Sequence, residues 1–164
     1  DRWIEENRAV ASPGALEFLN FCMSNSVEIF YVTNRDQGEA TVQLAIENLN
    51  AVGFPLVDTA HLRVLRESSN KELVQQQIRE DYEVVALLGD NLNDFARRYY
   101  STDVDQRMSL MEQDKERYGR DYILFPNPTD GHWIRAIFGE SEPAATDENR
   151  AILRRAATRA AWAP

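Results

Sequence analysis

"VVALLGDNLNDF", residues Val84 to Phe95, sets five apolar residues against a glycine and then two aspartates, Asp90 and Asp94, spaced by four. A short continuous apolar run such as Val84 to Leu88 is the pattern of a strand buried on both faces of a parallel sheet. The two acids then sit just past a strand end. Ligands of open α/β sheets bind at the carboxyl ends of the strands, so Asp90 and Asp94 are candidates for chemistry.

The rest of the chain repeats this grammar. Pro13 and Gly14 precede "ALEFLNFCMSN", whose Ala15, Leu16, Phe18, Leu19 and Cys22 form a helical stripe that Asn25 can stop. "VEIFYVTNR" predicts a strand with its apolar core at Ile29 to Val32, ending in Thr33, Asn34 and Arg35. "EATVQLAIENLNAVGF" is an amphipathic helix closed by Gly53, and "HLRVL" is a short strand. "SNKELVQQQIREDY" is a helix capped by Ser69 or Asn70, "EVVALLG" the next strand, and "DYILFPNP" another. Strands alternating with helices through short connections predict an α/β fold, a parallel sheet with helices on its faces. The charged, aromatic segment "ARRYYSTDVDQRMSLMEQDKERYGR" reads as helical, and residues 141–164 as a helical tail. In that tail Ile152, Leu153 and Ala156 share a face while Arg150, Arg154, Arg155 and Arg159 lie largely elsewhere, which suits a docking helix better than a membrane-surface one.

With 164 residues the chain fits one domain, and a net charge of −9 speaks against wrapping a polyanion, since nucleic acids need clustered Lys and Arg. Small molecules or proteins are the expected partners, not a nucleic acid polymer. Cys22 among Phe18, Leu19, Phe21 and Met23 reads as packing. No apolar run approaches the ~20 residues of a membrane span, and "DRWIEENR" has the look of an internal cut.

Three strand-end sets carry the chemistry: Thr33 with Asn34 and Arg35, then Lys71 at a helix start, then Asp90 with Asp94. A hydroxyl and backbone N–H groups donate to phosphoryl oxygens, a lysine neutralises charge, and hard carboxylate oxygens suit Mg²⁺. Each element alone has a bland reading as a cap, a solvated helix residue or an Asx turn.

"FYVTNR", "SSNKE", "GDNLNDF" and "ILFPNP" together resemble successive motifs of the bacterial class C acid phosphatases, the lipoprotein acid phosphatase family of the haloacid dehalogenase superfamily. "SPGALEFLNF", "NLNAVGFP" and "HLRVL" extend the resemblance over roughly Asp1 to Gly139. It implies a haloacid dehalogenase-like Rossmannoid sheet with small helical cap elements. It also implies Mg²⁺-dependent hydrolysis of small phosphomonoesters, with 5'-nucleotides among the candidates, through an aspartyl-phosphate. On this analogy Thr33 and the Asn34 amide clamp phosphate oxygens, Lys71 balances charge, Asp90 ligates the metal, and Asp94 steadies the metal shell or Lys71. Arg35, Trp3 and Trp133 are the candidate substrate contacts. The resemblance further implies a bacterial cell-envelope location through a lipid anchor outside this chain, and allows a homodimer.

Two departures stand against it. The family's Asp-x-Asp nucleophile motif is expected upstream of Asp1, so the domain reads as incomplete at its N-terminus; "DVDQR" at Asp103 to Arg107 has the spacing but follows no apolar strand and reads as a decoy. After "PNP", Asp130 stands where the family has a tyrosine, which puts nucleoside stacking in doubt and leaves Trp3, Tyr99, Tyr100 and Trp133 as aromatic alternatives. His132 is a further residue to place. The rival readings are a non-catalytic binding or storage module on the same fold, and a phosphotransferase.

Overall fold

The computed structural model describes residue 4 and residues 6–160, so Trp3 and Trp162 lie outside the described residues. The chain divides into two compact units, Asp1–Ser69 and Asn70–Pro164.

In the first unit, α1 (Ala15–Ser24) follows Gly14, whose φ of 81° is the left-handed turn that a glycine before a helix allows. Strand β1 (Tyr31–Asn34) leads to α2 (Thr41–Ala51), and β2 (Leu62–Leu65) lies parallel to β1 with Tyr31 opposite Leu62 and Thr33 opposite Val64. Helix α2 buries Thr41 and Ala45, and Gly53 at φ 81° turns the chain out of it. The Tyr31 ring stacks on Phe54 and its hydroxyl donates to the Pro55 carbonyl at 2.6 Å. Burial pushes that phenol up to about 12.

The second unit holds α3 (Lys71–Asp81), β3 (Leu87–Gly89), two 3₁₀ turns (Leu92–Asp94 and Arg97–Tyr100) and α4 (Val104–Gln113). A third 3₁₀ turn (Lys115–Arg117) enters β4 (Tyr122–Leu124), parallel to β3 with Gly89 opposite Leu124; α5 (His132–Phe138) and α6 (Asp147–Ala157) follow. Parallel strands joined through helical segments are the α/β pattern expected from the sequence.

The strands are shorter than their apolar runs. Strand β1 begins at Tyr31, after the buried Ile29, and β3 begins only at Leu87. The run from Val84 is not buried on both faces, for Val85 is 60% and Leu88 41% exposed. The reason is the width of the sheet: each described sheet has two strands, too narrow a surface for helices to cover a strand from both sides. Helix α1 also buries less than its stripe promised, leaving Phe18 and Phe21 exposed and Cys22 half-buried.

"DVDQR" is a helix start. Asp103 caps α4 by accepting from the Gln106 amide at 2.9 Å, and Asp105 pairs with Arg159 at 2.5 Å, tying the end of the tail to α4. Helix α6, capped by Thr146, packs beside α5, in keeping with a docking helix.

The core of the second unit is Leu92, Tyr99 and Met111, with Met108, Leu110 and Tyr118 against them. Tyr99 is fully buried, so it serves packing and not substrate stacking. Its hydroxyl donates to the buried Asp114 carboxylate at 2.6 Å and accepts from Tyr118 at 3.0 Å, while Arg98 pairs with the same carboxylate and the buried Arg107 donates to the Tyr99 carbonyl. Burial first, and then the Asp114 carboxylate, holds the Tyr99 phenol far above the ordinary tyrosine range. Tyr99→Phe removes a donor from a buried carboxylate while keeping the ring. It is expected to lower stability by about 1–3 kcal/mol, read as a shifted midpoint with an unchanged slope in urea denaturation.

Candidate active site

A side chain at Gly89 would place its Cβ 2.6 Å from Asp94 Cβ and 2.7 Å from Asp94 Oδ2, so the glycine is what lets Asp94 fold back against the end of β3. There Asp94 Oδ2 accepts from the backbone amides of Asp90 (3.2 Å) and Asn91 (3.1 Å), closing the 3₁₀ turn as a capping box with the Asn91 side chain. Asp94 Oδ1 accepts from Lys71 Nζ at 2.8 Å. The Asp94 carbonyl takes a hydrogen bond from Gln75 Nε2 at 2.6 Å, so α3 is fixed to the turn at two points one helical turn apart. Asp94 is buried and the Lys71 side chain is 21% exposed, which leaves the ammonium partly open to solvent.

Asp90 faces outward. One of its carboxylate oxygens accepts from Asn91 Nδ2 at 2.8 Å and the other from Asn127 Nδ2 at 3.0 Å. Asn127 Oδ1 in turn accepts from the backbone amides of Thr129 (3.3 Å) and Asp130 (3.0 Å), folding the loop after β4 around it. Asn91 Oδ1 accepts from the His132 amide at the start of α5. At Gly131, φ 136°, a Cβ would lie 1.9 Å from that oxygen, so a side chain there is excluded.

Of the two acids, then, Asp94 is committed to Lys71 and the backbone, and Asp90 is the carboxylate that keeps open lone pairs. Among the described residues no group of three or more His, Cys, Asp or Glu side chains could hold a metal ion. A single exposed carboxylate with hard oxygens suits an ion such as Mg²⁺, which retains several waters and uses one or two protein carboxylates with substrate oxygens. The residues therefore fit an ion held at Asp90 and not a closed protein cage.

Trp133 is half-buried, its indole N–H donating to the Asp130 carbonyl at 3.0 Å, and with Met108, Met111 and Phe125 it lines an apolar cavity of about 320 Å³ that Asp90 borders. His132 Nε2 donates to the Tyr100 carbonyl at 2.8 Å, with the Tyr100 ring 4.6 Å away and Arg97 stacked over that ring at 3.6 Å. Both His132 and Tyr100 are thereby given structural work.

In the first unit Thr33 and Asn34 form the carboxyl end of β1. Asn34 Nδ2 donates to the carbonyls of Leu65 (3.1 Å) and Ser68 (2.8 Å), which leaves its backbone N–H as the group to consider for an anion. Arg35 donates to Gln37 (2.9 Å) and to Asn48 (2.7 Å), so its guanidinium is held locally. Sequence reasoning passed over Asn127, Asn91 and Gln75; an asparagine between two prolines at a strand end was the available sign of the first.

Residues 1–133 match the family described as HAD superfamily, subfamily IIIB (acid phosphatase). The chain belongs to this family of phosphomonoesterases. The class C acid phosphatase from Bacillus anthracis superposes with a TM-score of 0.83 at 28% identity, covering 99% of this chain and 67% of that one. The same enzyme with tungstate bound gives 0.82, again at 28% identity, over 98% and 66%. The chain thus spans about two thirds of the length of these phosphatases. The superposition agrees with a haloacid dehalogenase-like fold, and phosphatases of this superfamily generally use a divalent metal and act on small phosphomonoesters.

Two outcomes follow for the site. Gly89→Ala is expected to destabilise by about 1–3 kcal/mol, since the new methyl group must push Asp94 off β3, and chemical denaturation reads the loss. Burial, reinforced by Arg107, Arg135 and Arg97, holds His132 below its ordinary 6.5 against the opposing Tyr100 hydrogen bond. As pH falls through 6.5 the unfolded chain takes the proton before the folded one, so stability drops from there down to the folded pKa. His132→Gln should flatten the fall in melting temperature between pH 7 and pH 5.5; an unchanged slope would assign that pH dependence elsewhere.

Proposed function

We propose that this chain carries the phosphate-polarising and metal-holding residues of a Mg²⁺-dependent acid phosphatase for small phosphomonoesters, 5'-nucleotides among them. The observation that carries the reading is the division of labour between two acids four residues apart: Asp94, buried, anchors Lys71, while Asp90, exposed at the strand end, stays open.

A phosphomonoester dianion and a carboxylate nucleophile repel until positive charge and donors stand between them. Lys71, held at 2.8 Å by Asp94, supplies a cation whose position is set before substrate arrives, which lowers the cost of ordering it in the transition state. Thr33 and the Asn34 backbone N–H are the donors assigned to phosphate oxygens. Asp90, oriented by Asn91 and Asn127, would hold the ion; when bound, such an ion neutralises charge on the phosphoryl group.

The nucleophile is assigned to a residue outside this chain. Asp94 is occupied by Lys71 and two amides, Asp103 caps α4 and Asp105 pairs with Arg159, and these commitments weigh against an attacking role for any of the three. Asp130, in place of an aromatic residue, favours leaving groups held by apolar contact over stacked nucleosides, and Trp133 is the residue assigned to that contact. A cell-envelope location, a lipid anchor and a homodimer belong to the same reading by analogy alone.

Asp90→Asn in the complete protein is expected to keep the wild-type melting temperature and to lose Mg²⁺-dependent turnover of a chromogenic phosphate ester by ~10²-fold or more. Undiminished turnover would return Asp90 to the role of a turn residue. The 164-residue chain assayed beside the complete protein tests the nucleophile: equal activity in both would place the attacking acid inside the chain.

A further inference from the structure

We propose that the second unit carries a separate binding site for a phosphate-class oxyanion, free or borne on a small molecule, in the cavity that Arg79, Arg98 and Arg117 help to line. The cavity measures about 420 Å³, within the range of small-ligand sites, and its lining comes from α3, the second and third 3₁₀ turns and β4. Lys71, Asp90 and Asp94 are not among the residues that line it.

Three arginines line one concavity in a chain of net charge −9, and Asp114 and Asp121 offset two of them. Two of the three guanidinium groups are held by the fold. Arg117 lies over the Tyr122 ring at 3.9 Å and reaches Asp121 through Nε at 3.5 Å; Arg98 pairs through one terminal nitrogen with Asp114. Each guanidinium has five N–H donors, so both keep donors beyond those bonds. Arg79 is exposed and makes no ion pair among the described residues. The carboxylate in the lining, Glu72, is turned to the Arg97 backbone amide at 2.6 Å. Phe95 and Tyr122, stacked at 4.7 Å, give the cavity an aromatic wall.

A phosphate or phosphonate offers several negative oxygens for forked arginine donors, and the aromatic wall suits a carrier with a ring. Chloride, a single atom, cannot take a forked pair of donors.

The test is a titration of the ¹⁵N-labelled complete protein at constant ionic strength, with inorganic phosphate in one arm and phenylphosphonate in the other, against a chloride control. Saturable shifts at Arg79, Arg98 and Arg117 are expected, retained in Asp90→Asn and weakened tenfold or more in Arg79→Gln. Arg79 is exposed and makes no ion pair among the described residues, so it can be changed without loss of fold. Tighter binding of phenylphosphonate identifies a phosphoryl group on an aromatic carrier; equal or tighter binding of phosphate identifies the free ion. Shifts that chloride reproduces, that Arg79→Gln leaves unaltered, or that vanish in Asp90→Asn would overturn the proposal. The Asp90→Asn arm also keeps its fate separate from that of the phosphatase reading.

Discussion

The carboxylate of Asp94 is the point on which the second unit turns. One oxygen ends the ammonium of Lys71, the other gathers the amides of Asp90 and Asn91, and the same residue's carbonyl receives Gln75. A carboxylate taken out of water is tolerable only when its lone pairs are filled by donors, and here they are filled by a helix, a strand end and a turn at once. Helix α3, β3 and the first 3₁₀ turn are therefore held together by the donors that offset the desolvation of a single charge. Gly89 is the steric condition for it.

That dependence explains how the chain can be so acidic and still organise positive charge. Among the described residues most carboxylates are on the surface, and the two buried ones, Asp94 and Asp114, each fix a cation, Lys71 and Arg98 respectively. The buried acid determines where the base points. Lys71 is presented beside the exposed Asp90 turn, and Arg98 borders a different cavity, so the same device is used twice.

Much of this was legible in the sequence, and the residues show why. Helices α1, α2 and α3 announce themselves by periodicity and by Gly14, Gly53 and Asn70 at their ends, which are local signals. Strand lengths were not legible, because an apolar run such as Val84 to Leu88 states hydrophobicity and not pairing; ladder partners set β3 at three residues. Asp90 and Asp94 could be picked out by their place after a strand, but only the folded structure separates the buried anchor from the exposed carboxylate. The sequence also allowed Tyr99 either role, and burial against Asp114 decided for the core. Asn127 escaped notice since its partner, Asp90, is 37 residues away.

The capping box at Asn91 and Asp94 has a bearing on the order in which the site is assembled. Its hydrogen bonds close loops of three and four residues, whereas the Lys71 contact closes one of 23. Ring-closure entropy grows with loop length, so the short contacts are the cheaper to form from the unfolded chain. The turn at the end of β3 can thus fold as a local unit with its acid already oriented, and α3 then docks by delivering a lysine to a receptor that is in place. In kinetic terms, changes at Asn91 bear on the early, local step, and changes at Lys71 on the later capture.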